Sequence, residues 1–209
     1  MLAIPWMAVA LLAMTWYEDE IHELERQYSK QPTGSHPVVF YGSSSIRLWT
    51  TLATDFPSIQ SLNLGFGGST LAACAWFFER LVVPAAPKSV VFYAGDNDLG
   101  EGRRPEEVCL FFNVLAQKMH RQLAGVPLAF LSIKISPSRW EIAPDIRYTN
   151  ELIEQEVIKY PNYQVIDMTT PLLDQTGRPC SSYFEADGLH LTLKGYERWK
   201  QVLQQHSLF

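Results

Sequence analysis

Five short apolar segments constrain the fold of this chain more strongly than any other feature of its sequence. Each is rich in β-branched and aromatic residues, and a glycine follows each of the first three. They cover residues 38–41, 59–64, 89–94, 128–135 and 163–168. Runs of this length and composition are typical of strands that are buried on both faces. Such strands belong to parallel sheets, because the helices that connect parallel strands cover both faces of the sheet.

The stretches between and after these segments have the spacing of amphipathic helices. They cover residues 71–81, a stretch that begins at Pro105, residues 145–159 and residues 193–203. In the second stretch, proline lies in the first turn and Gly125 follows the last turn, as is typical of helix ends. Strands that alternate with helices in a chain of 209 residues predict one α/β domain. We therefore expect a three-layer α/β/α sandwich around a five-stranded parallel sheet.

The N-terminal 17 residues carry no charged side chain and are mostly apolar. The segment is shorter than the roughly 20 residues of a transmembrane helix, and it lacks the basic start and the cleavage site of a secretory signal. Thr15 and Glu18 have the spacing of a capping box and an apolar stripe begins at Tyr17, so a helix is expected to start near residue 15. We expect residues 1–13 to be an apolar arm or an over-extended start, followed by one domain at residues 14–209.

The charge and the cysteine content argue against several classes of function. The chain has 17 Lys and Arg against 22 Asp and Glu, a net charge of −5, whereas nucleic-acid binding favours a basic surface. The three cysteines are widely spaced and include no C-x-x-C pair, which argues against a disulfide framework or a zinc site. We expect a cytoplasmic protein without a stable membrane span, although the apolar N-terminus leaves secretion, membrane association and homo-oligomerisation open.

Loops rich in glycine and polar residues follow the first three predicted strands. They are residues 42–45 (Gly-Ser-Ser-Ser), residues 65–70 (Gly-Phe-Gly-Gly-Ser-Thr) and residues 95–98 (Gly-Asp-Asn-Asp). In open α/β sheets, ligands bind beyond the carboxyl ends of the strands. Three such loops at one edge of the sheet therefore predict a functional site there.

Each loop also has a plainer interpretation. A serine between a strand and a helix often caps the helix, but it can also act as a nucleophile beside a backbone N–H that binds an oxyanion. The glycine loop lacks the spacing of a dinucleotide site and the lysine of a P-loop, so nucleotide binding is not expected. Asp96 and Asp98 could hold a metal ion, but their spacing suits turn hydrogen bonds better, and no metal is expected.

His190 is the histidine best placed to act as a base. It ends the sequence Asp187-Gly188-Leu189-His190, just before the last predicted helix. A carboxylate three residues before a histidine can fold back to bind the ring Nδ1–H, which fixes the tautomer and stabilises the imidazolium. The other histidines lie where we expect the protein surface, and they are His22, His36, His120 and His206.

Taken together and in this order, the four motifs resemble the SGNH hydrolase superfamily, the G-D-S-L-type esterases and lipases. Residues 42–46 (GSSSI) stand where the family has G-D-S after its first strand. Residues 63–68 (NLGFGG) are similar to its N-x-G-x-x-G block, as in the intracellular platelet-activating-factor acetylhydrolases. Residues 95–98 resemble the G-x-N-D block, and residues 187–190 resemble the D-x-x-H block. The resemblance runs from residue 38 to about residue 199, and it implies an SGNH-type, flavodoxin-like fold and ester hydrolysis without a cofactor.

The resemblance also implies a role for individual residues. Ser44 aligns with the nucleophile, His190 with the general base, and Asp187 with the acid that orients the histidine. The backbone N–H groups of Ser44 and Gly68 and the side-chain amide of Asn97 align with the oxyanion hole. These roles imply a serine hydrolase that cleaves a small or medium acyl ester through an acyl-enzyme. The substrates it implies include an acetylated sugar, a short-chain lipid and a thioester.

The chain departs from the family pattern at Ser43, which stands where G-D-S has its acidic residue. That acid is not a member of the catalytic triad, so hydrolysis is still expected. With three adjacent serines, however, the assignment of Ser44 as the nucleophile depends on the alignment alone. A protein that keeps the fold but only binds its ligand therefore stays as the alternative function.

Two further residues near the predicted site could contact a substrate. Arg47 follows the serine loop and could bind an anionic group, although a packed or solvated arginine is the more ordinary interpretation. Trp140 follows the fourth predicted strand at the same edge of the sheet. There it could form an apolar wall of the pocket, or it could anchor its own loop on the core.

Overall fold

The computed structural model describes residues 14–29 and 34–206, so the predicted arm at residues 1–13 lies outside the described residues. Its five strands form one sheet in the order β2-β1-β3-β4-β5, and all neighbouring strands are parallel. The strands are β1 (Val38–Gly42), β2 (Ser61–Gly65), β3 (Ser89–Tyr93), β4 (Leu128–Leu131) and β5 (Tyr163–Ile166). The predicted five-stranded parallel sheet is confirmed.

Strand β4 is shorter than the apolar segment that predicted it, because its backbone changes partners after Ser132, whose N still donates to Ile166 O of β5 at 2.9 Å. Asn150 Oδ1 accepts a hydrogen bond from Ile133 N at 2.8 Å, and Asn150 Nδ2 donates one to Ile133 O at 3.0 Å. A side-chain amide thus takes the place of a neighbouring strand at Ile133. Residues 133–135 continue into the core outside the strands. Strands β2 and β5 are also shorter than predicted.

Helices connect the strands and cover both faces of the sheet. The α-helices are α1 (Glu18–Ser29), α2 (Ser44–Arg47), α3 (Leu52–Asp55), α4 (Leu71–Leu81), α5 (Asp96–Gly100), α6 (Pro105–Gln122), α7 (Ala143–Val157) and α8 (Leu193–Leu203). Three 3-10 helices cover Pro137–Ile142, Thr170–Leu172 and Ser181–Tyr183. Within the described residues, none of the helices combines the length and the apolar character that crossing a membrane requires.

Helix α1 begins at Glu18 rather than near residue 15, so its start was predicted too early. Glu18 was predicted to form a capping box with Thr15. Its two carboxylate oxygens accept hydrogen bonds from Arg80 Nη1 of α4, each at 2.9 Å. Arg80 Nε also donates to Glu25 Oε1 at 2.8 Å. These long-range ion pairs attach α1 to the neighbouring helix.

The side chains of β1 show how the sheet separates two cores. Val39 and Tyr41 pack into a cluster with residues of α1, α4, α6 and α7. Val38 and Phe40 pack into a second cluster with residues of α2, α3 and α8. Successive side chains of a strand point to opposite faces of the sheet, so this alternation requires helices on both sides. The predicted three-layer sandwich is confirmed.

The cysteines are unpaired, in agreement with the spacing argument. Cys74 lies fully buried in the first core cluster, where burial raises the pKa of its thiol. A buried, protonated thiol packs like a small apolar side chain. The structure thus gives Cys74 a packing role.

Candidate active site

The serine loop crosses the carboxyl end of the sheet because a glycine ends β1. Gly42 has a φ of +133°, and a Cβ at this position would lie 1.9 Å from Tyr93 O of β3. Only glycine permits this backbone and this approach. Ser43 N then donates a hydrogen bond to Tyr93 O at 2.8 Å, and Ser44 becomes the first residue of α2.

Three predicted residues form one continuous chain of hydrogen bonds. His190 Nε2 lies 3.0 Å from Ser44 Oγ, and His190 Nδ1 lies 2.6 Å from Asp187 Oδ2. Because a carboxylate can only accept, Nδ1 carries a proton and Nε2 is left to accept the proton of the serine hydroxyl. Residues that are 146 positions apart in the sequence are therefore within hydrogen-bond distance.

The local turn keeps Asp187 ionised. Its Oδ1 accepts hydrogen bonds from Leu189 N at 2.8 Å and from His190 N at 3.0 Å, while Oδ2 binds the imidazole. The two backbone N–H groups and the histidine lower the pKa of Asp187 to about 2. Gly188, with a φ of +66°, makes the turn that brings these donors to one carboxylate. Asp187 is thus an anion at any pH near neutrality.

The glycine loop after β2 is fixed from two sides. Asn63 Nδ2 donates to Ile46 O at 2.7 Å, which ties the loop to the serine turn. On the other side, Gly67 N donates to Glu20 Oε2 at 2.9 Å, and Tyr17 Oη donates to Gly68 O at 3.2 Å. Gly68 has a φ of +64°, a backbone conformation that favours glycine.

Asn97 lies in the first turn of α5 and connects the third loop to the second. Its Nδ2 donates a hydrogen bond to the backbone oxygen of Ser69 at 3.0 Å, the residue after Gly68. An amide nitrogen has two hydrogens, so one remains for a ligand. The contacts thus join Ser44, His190 and Asp187 directly, and they bring Asn97 to the segment that contains Gly68.

Lys134 is the residue of this region that the motif analysis missed. It is almost fully buried, and its Nζ donates to Ser45 Oγ at 3.1 Å, to Tyr93 Oη at 3.0 Å and to Asp96 Oδ2 at 3.0 Å. Burial alone would raise the pKa of Asp96, but the Lys134 ammonium holds that pKa below its ordinary value. A lysine inside an apolar run was the available signal, because a buried charge needs a partner.

The two aspartates beside Asn97 serve different purposes. Asp96 is the ion-pair partner of Lys134. Asp98 is fully buried, and its Oδ2 accepts a hydrogen bond from Leu71 N at 2.8 Å. Burial raises the pKa of Asp98 to about 6, against the opposing effect of Arg103, whose Nε lies 3.9 Å from Oδ1. Within residues 14–29 and 34–206, no group of three or more His, Cys, Asp or Glu side chains could hold a metal ion.

The two predicted substrate contacts are both engaged with other parts of the protein. Arg47 Nη1 lies 3.5 Å from Glu20 Oε1, and its guanidinium packs against Gly67. Trp140 lies in the 3-10 helix Pro137–Ile142, partly buried against the first core cluster. The Arg178 guanidinium lies 4.7 Å from the centre of its ring. These contacts favour a packing role for both side chains.

Ser43, the departure from the family pattern, is fully buried. Its hydroxyl oxygen has no hydrogen-bond partner in the part of the chain that the structure describes. Ser45 contacts Lys134, whereas Ser44 alone of the three serines is hydrogen-bonded to the imidazole. The contacts thus distinguish three serines that the sequence could not.

Comparisons with known proteins identify the family of this chain. The model of the GDSL-like lipase/acylhydrolase family matches residues 35–198. Among curated proteins, none matches the sequence. A Streptococcus pneumonia protein provisionally assigned as a platelet activating factor has a similar structure, with a TM-score of 0.80 and 20% identity. That similarity covers 97% of this chain and 99% of the other.

Two further solved structures have the same fold. A GDSL-like lipase from Bacteroides thetaiotaomicron has a TM-score of 0.70 at 20% identity, over 92% of this chain and 95% of its own. A lipase/acylhydrolase from Enterococcus faecalis has a TM-score of 0.66 at 19% identity, over 82% of this chain and 94% of its own. The fold, the order of the four motifs and the family match over most of the sequence lead to one conclusion: the chain belongs to the GDSL-like lipase/acylhydrolase family, a family of hydrolases of ester bonds.

Proposed function

We propose that this protein is a serine esterase that hydrolyses a carboxylic ester through an acyl-enzyme. The observation that carries the proposal is the continuous hydrogen-bond chain from Asp187 through His190 to Ser44, at 2.6 Å and 3.0 Å. A serine hydroxyl is activated when a base lies within hydrogen-bond distance of it and a third group orients that base.

In the first half of the reaction, Ser44 Oγ attacks the ester carbonyl carbon while His190 Nε2 takes the hydroxyl proton. The resulting oxyanion forms beside the Ser44 N–H, the Gly68 N–H and the remaining Asn97 amide hydrogen, which together are proposed to bind it. When the tetrahedral intermediate collapses, the ester C–O bond breaks. His190 then returns the proton to the leaving alkoxide, so an alcohol departs and an acyl-serine remains.

In the second half of the reaction, water takes the place of the alcohol. His190 accepts a proton from the water as its oxygen attacks the acyl carbon, and the same donors bind the second oxyanion. Collapse breaks the bond to Ser44 Oγ, which regains its proton from His190, and the carboxylic acid leaves. Asp187 stays ionised throughout, because its pKa is lowered to about 2, and it stabilises the imidazolium in both halves.

A small or medium acyl group is the substrate class that we propose. The catalytic serine side chain is largely buried, whereas the Asp187 side of the triad is open, with 49% of that side chain exposed. A nucleophile at the base of an open-sided site suits a compact acyl group whose alcohol or thiol part is directed towards solvent. An acetylated sugar, a short-chain lipid and a thioester all satisfy this description.

A panel of p-nitrophenyl esters, from acetate to long acyl chains, tests the proposal. We expect turnover by the wild-type protein, and loss of activity by on the order of a million-fold in folded Ser44→Ala. Ser43→Ala is the matched control, because that hydroxyl is buried beside the site without a hydrogen-bond partner among the described residues. A folded wild-type protein that binds esters and hydrolyses none would contradict the proposal and favour the ligand-binding alternative.

A further inference from the structure

We infer that the start of helix α1 and the residue before it position the oxyanion hole, with Tyr17 and Glu20 as the positioning residues. This inference rests on the proposed function, because it takes the Gly68 N–H as one of the oxyanion donors. Both side chains come from the segment before residue 34, whereas the family match begins at residue 35. The four motif blocks therefore do not include them.

The two contacts lie on either side of one peptide bond. Glu20 Oε2 accepts a hydrogen bond from Gly67 N at 2.9 Å, and Tyr17 Oη donates one to Gly68 O at 3.2 Å. The peptide group between them is the one that contains the Gly68 N–H. Its two neighbouring peptide groups are thus each held by a side chain of the N-terminal segment.

This loop needs such anchors because of its sequence. Gly67 and Gly68 are adjacent, and glycine reaches positive and negative φ with similar ease. Gly68 has a φ of +64°, and a Cβ there would meet nothing within 4 Å, so packing does not restrain it. Without the two hydrogen bonds, the peptide group between the glycines could rotate and turn its N–H away from the oxyanion that we propose it binds.

The surroundings of both anchors are ordered by further contacts. The Tyr17 ring packs edge-on against Phe66 at 5.3 Å and against Phe77 at 6.2 Å between ring centres. Glu20 Oε1 lies 3.5 Å from Arg47 Nη1, while Oε2 binds the loop. The Tyr17 ring therefore packs on Phe66 of the loop and on Phe77 of the core, and its hydroxyl group adds the hydrogen bond to Gly68 O.

The test removes each anchor and follows catalysis and loop order separately. In Tyr17→Phe and in Glu20→Ala, we expect kcat to fall about 10-fold, less than the 100- to 1,000-fold loss of a whole oxyanion donor. KM should stay within about twofold, because oxyanion donors act mainly on the transition state. The ¹⁵N order parameters of Gly67 and Gly68 should fall from rigid values near about 0.85 towards about 0.6.

Two variants serve as controls. Tyr28→Phe removes a tyrosine hydroxyl of α1. This hydroxyl donates to Pro84 O, away from the glycine loop, so the substitution should leave kcat and both order parameters unchanged. Glu20→Gln keeps an oxygen that can accept from Gly67 N, and should restore most of the kcat that Glu20→Ala loses.

The outcomes separate this inference from the proposed function. If wild-type protein hydrolyses no ester, the proposed function fails, and the order parameters still show whether the anchors hold the loop. If wild type is active and Tyr17→Phe and Glu20→Ala keep wild-type kcat and order parameters, the inference is overturned. A rise in KM at constant kcat would also overturn it, because that result would indicate a role in substrate binding.

Discussion

At the scale of single residues, the Asp187 carboxylate has two structural roles, and each of its two oxygens performs one of them. Oδ1 accepts the backbone N–H groups of Leu189 and His190, and Oδ2 accepts from the imidazole. The contacts of Oδ1 fix the turn, and the contact of Oδ2 fixes the tautomer of the histidine. Replacement of the carboxylate by an amide would keep most of the turn but would present a donor or a neutral acceptor to Nδ1.

Asp187→Asn should therefore remain folded and lose about 10⁴-fold in kcat, as expected for a histidine held in the wrong tautomer. Steady-state hydrolysis of the best ester of the panel measures the loss. Asp174→Asn is the control, because the Asp174 carboxylate also accepts backbone N–H groups in an exposed turn, without a histidine. An Asp187→Asn protein with more than a tenth of wild-type kcat would show that the carboxylate does not orient the base.

Asp98 is a second carboxylate with an altered pKa, but the change has the opposite sign. Burial raises the pKa of Asp98 to about 6, while the unfolded chain ionises near its ordinary value of 3.8. Below about pH 3 both states are protonated. Between pH 4 and 6 the unfolded state loses its proton first, so the free energy of unfolding falls as the pH rises.

Asp98→Asn should remove this dependence, because asparagine keeps an oxygen for Leu71 N and carries no charge. We expect the free energy of unfolding of Asp98→Asn, relative to that of wild type, to increase by up to about 3 kcal/mol as the pH rises from 4 to 7. Urea unfolding at a series of pH values measures it, with Asp55→Asn as a control carboxylate. A stability difference that is constant over this range would refute the raised pKa.

At the scale of elements, the short helix α5 brings an amide to the glycine loop. Asn97 lies in its first turn, and its side chain binds Ser69 O at 3.0 Å. This hydrogen bond orients the amide and leaves one hydrogen for the oxyanion that we propose it binds. The Lys134 network tethers the same helix through Asp96, so the serine loop and the asparagine share one buried support.

Asn97→Ala should fold and lose about 100- to 1,000-fold in kcat, the usual cost of one oxyanion donor. Thermal unfolding checks the fold, and ester hydrolysis checks the rate. Asn113→Ala is a suitable control, because that amide binds Glu156 on the outer helices, away from the site. Full activity in folded Asn97→Ala would remove this residue from the oxyanion hole.

The sequence could predict elements whose signals are local. The signals for strands that end at glycine, and for helices such as residues 193–203, come from neighbouring residues. The structure contains these elements with small changes at their ends. The end of β4 and the start of α1 were predicted wrongly. Asn150, a distant residue, pairs with the backbone of Ile133 in place of a neighbouring strand, and α1 begins at Glu18 rather than near residue 15.

The site could be predicted to the extent that topology determines it. Parallel strands put their carboxyl-end loops at one edge, so three polar loops far apart in the chain were expected to meet there. The family resemblance, rather than the topology, added the D-x-x-H motif at residues 187–190. The Tyr17 and Glu20 contacts with the glycine loop could not be predicted, because they join residues 51 and 47 positions apart without any motif. The contacts of Lys134 could not be predicted for a related reason, since it lies within an apolar run and its partners come from other strands and loops.

At the scale of the whole molecule, the sheet holds the site between two cores. One face packs against α1, α4, α6 and α7, and the other packs against α2, α3 and α8. The serine loop begins α2 on the second side, whereas α1 reaches the glycine loop from the first. Both helical layers therefore contribute to the geometry around Ser44.

The most direct test of the central claim is the position of a covalent label. In a p-nitrophenyl alkylphosphonate, an activated serine attacks phosphorus and displaces p-nitrophenolate, which leaves a stable phosphonyl-serine. Intact-mass measurement followed by peptide mapping should find one adduct per chain, on Ser44, and none in Ser44→Ala. An adduct on Ser43 or Ser45, or a folded wild-type protein that gains no mass, would contradict the proposed Ser44–His190–Asp187 triad.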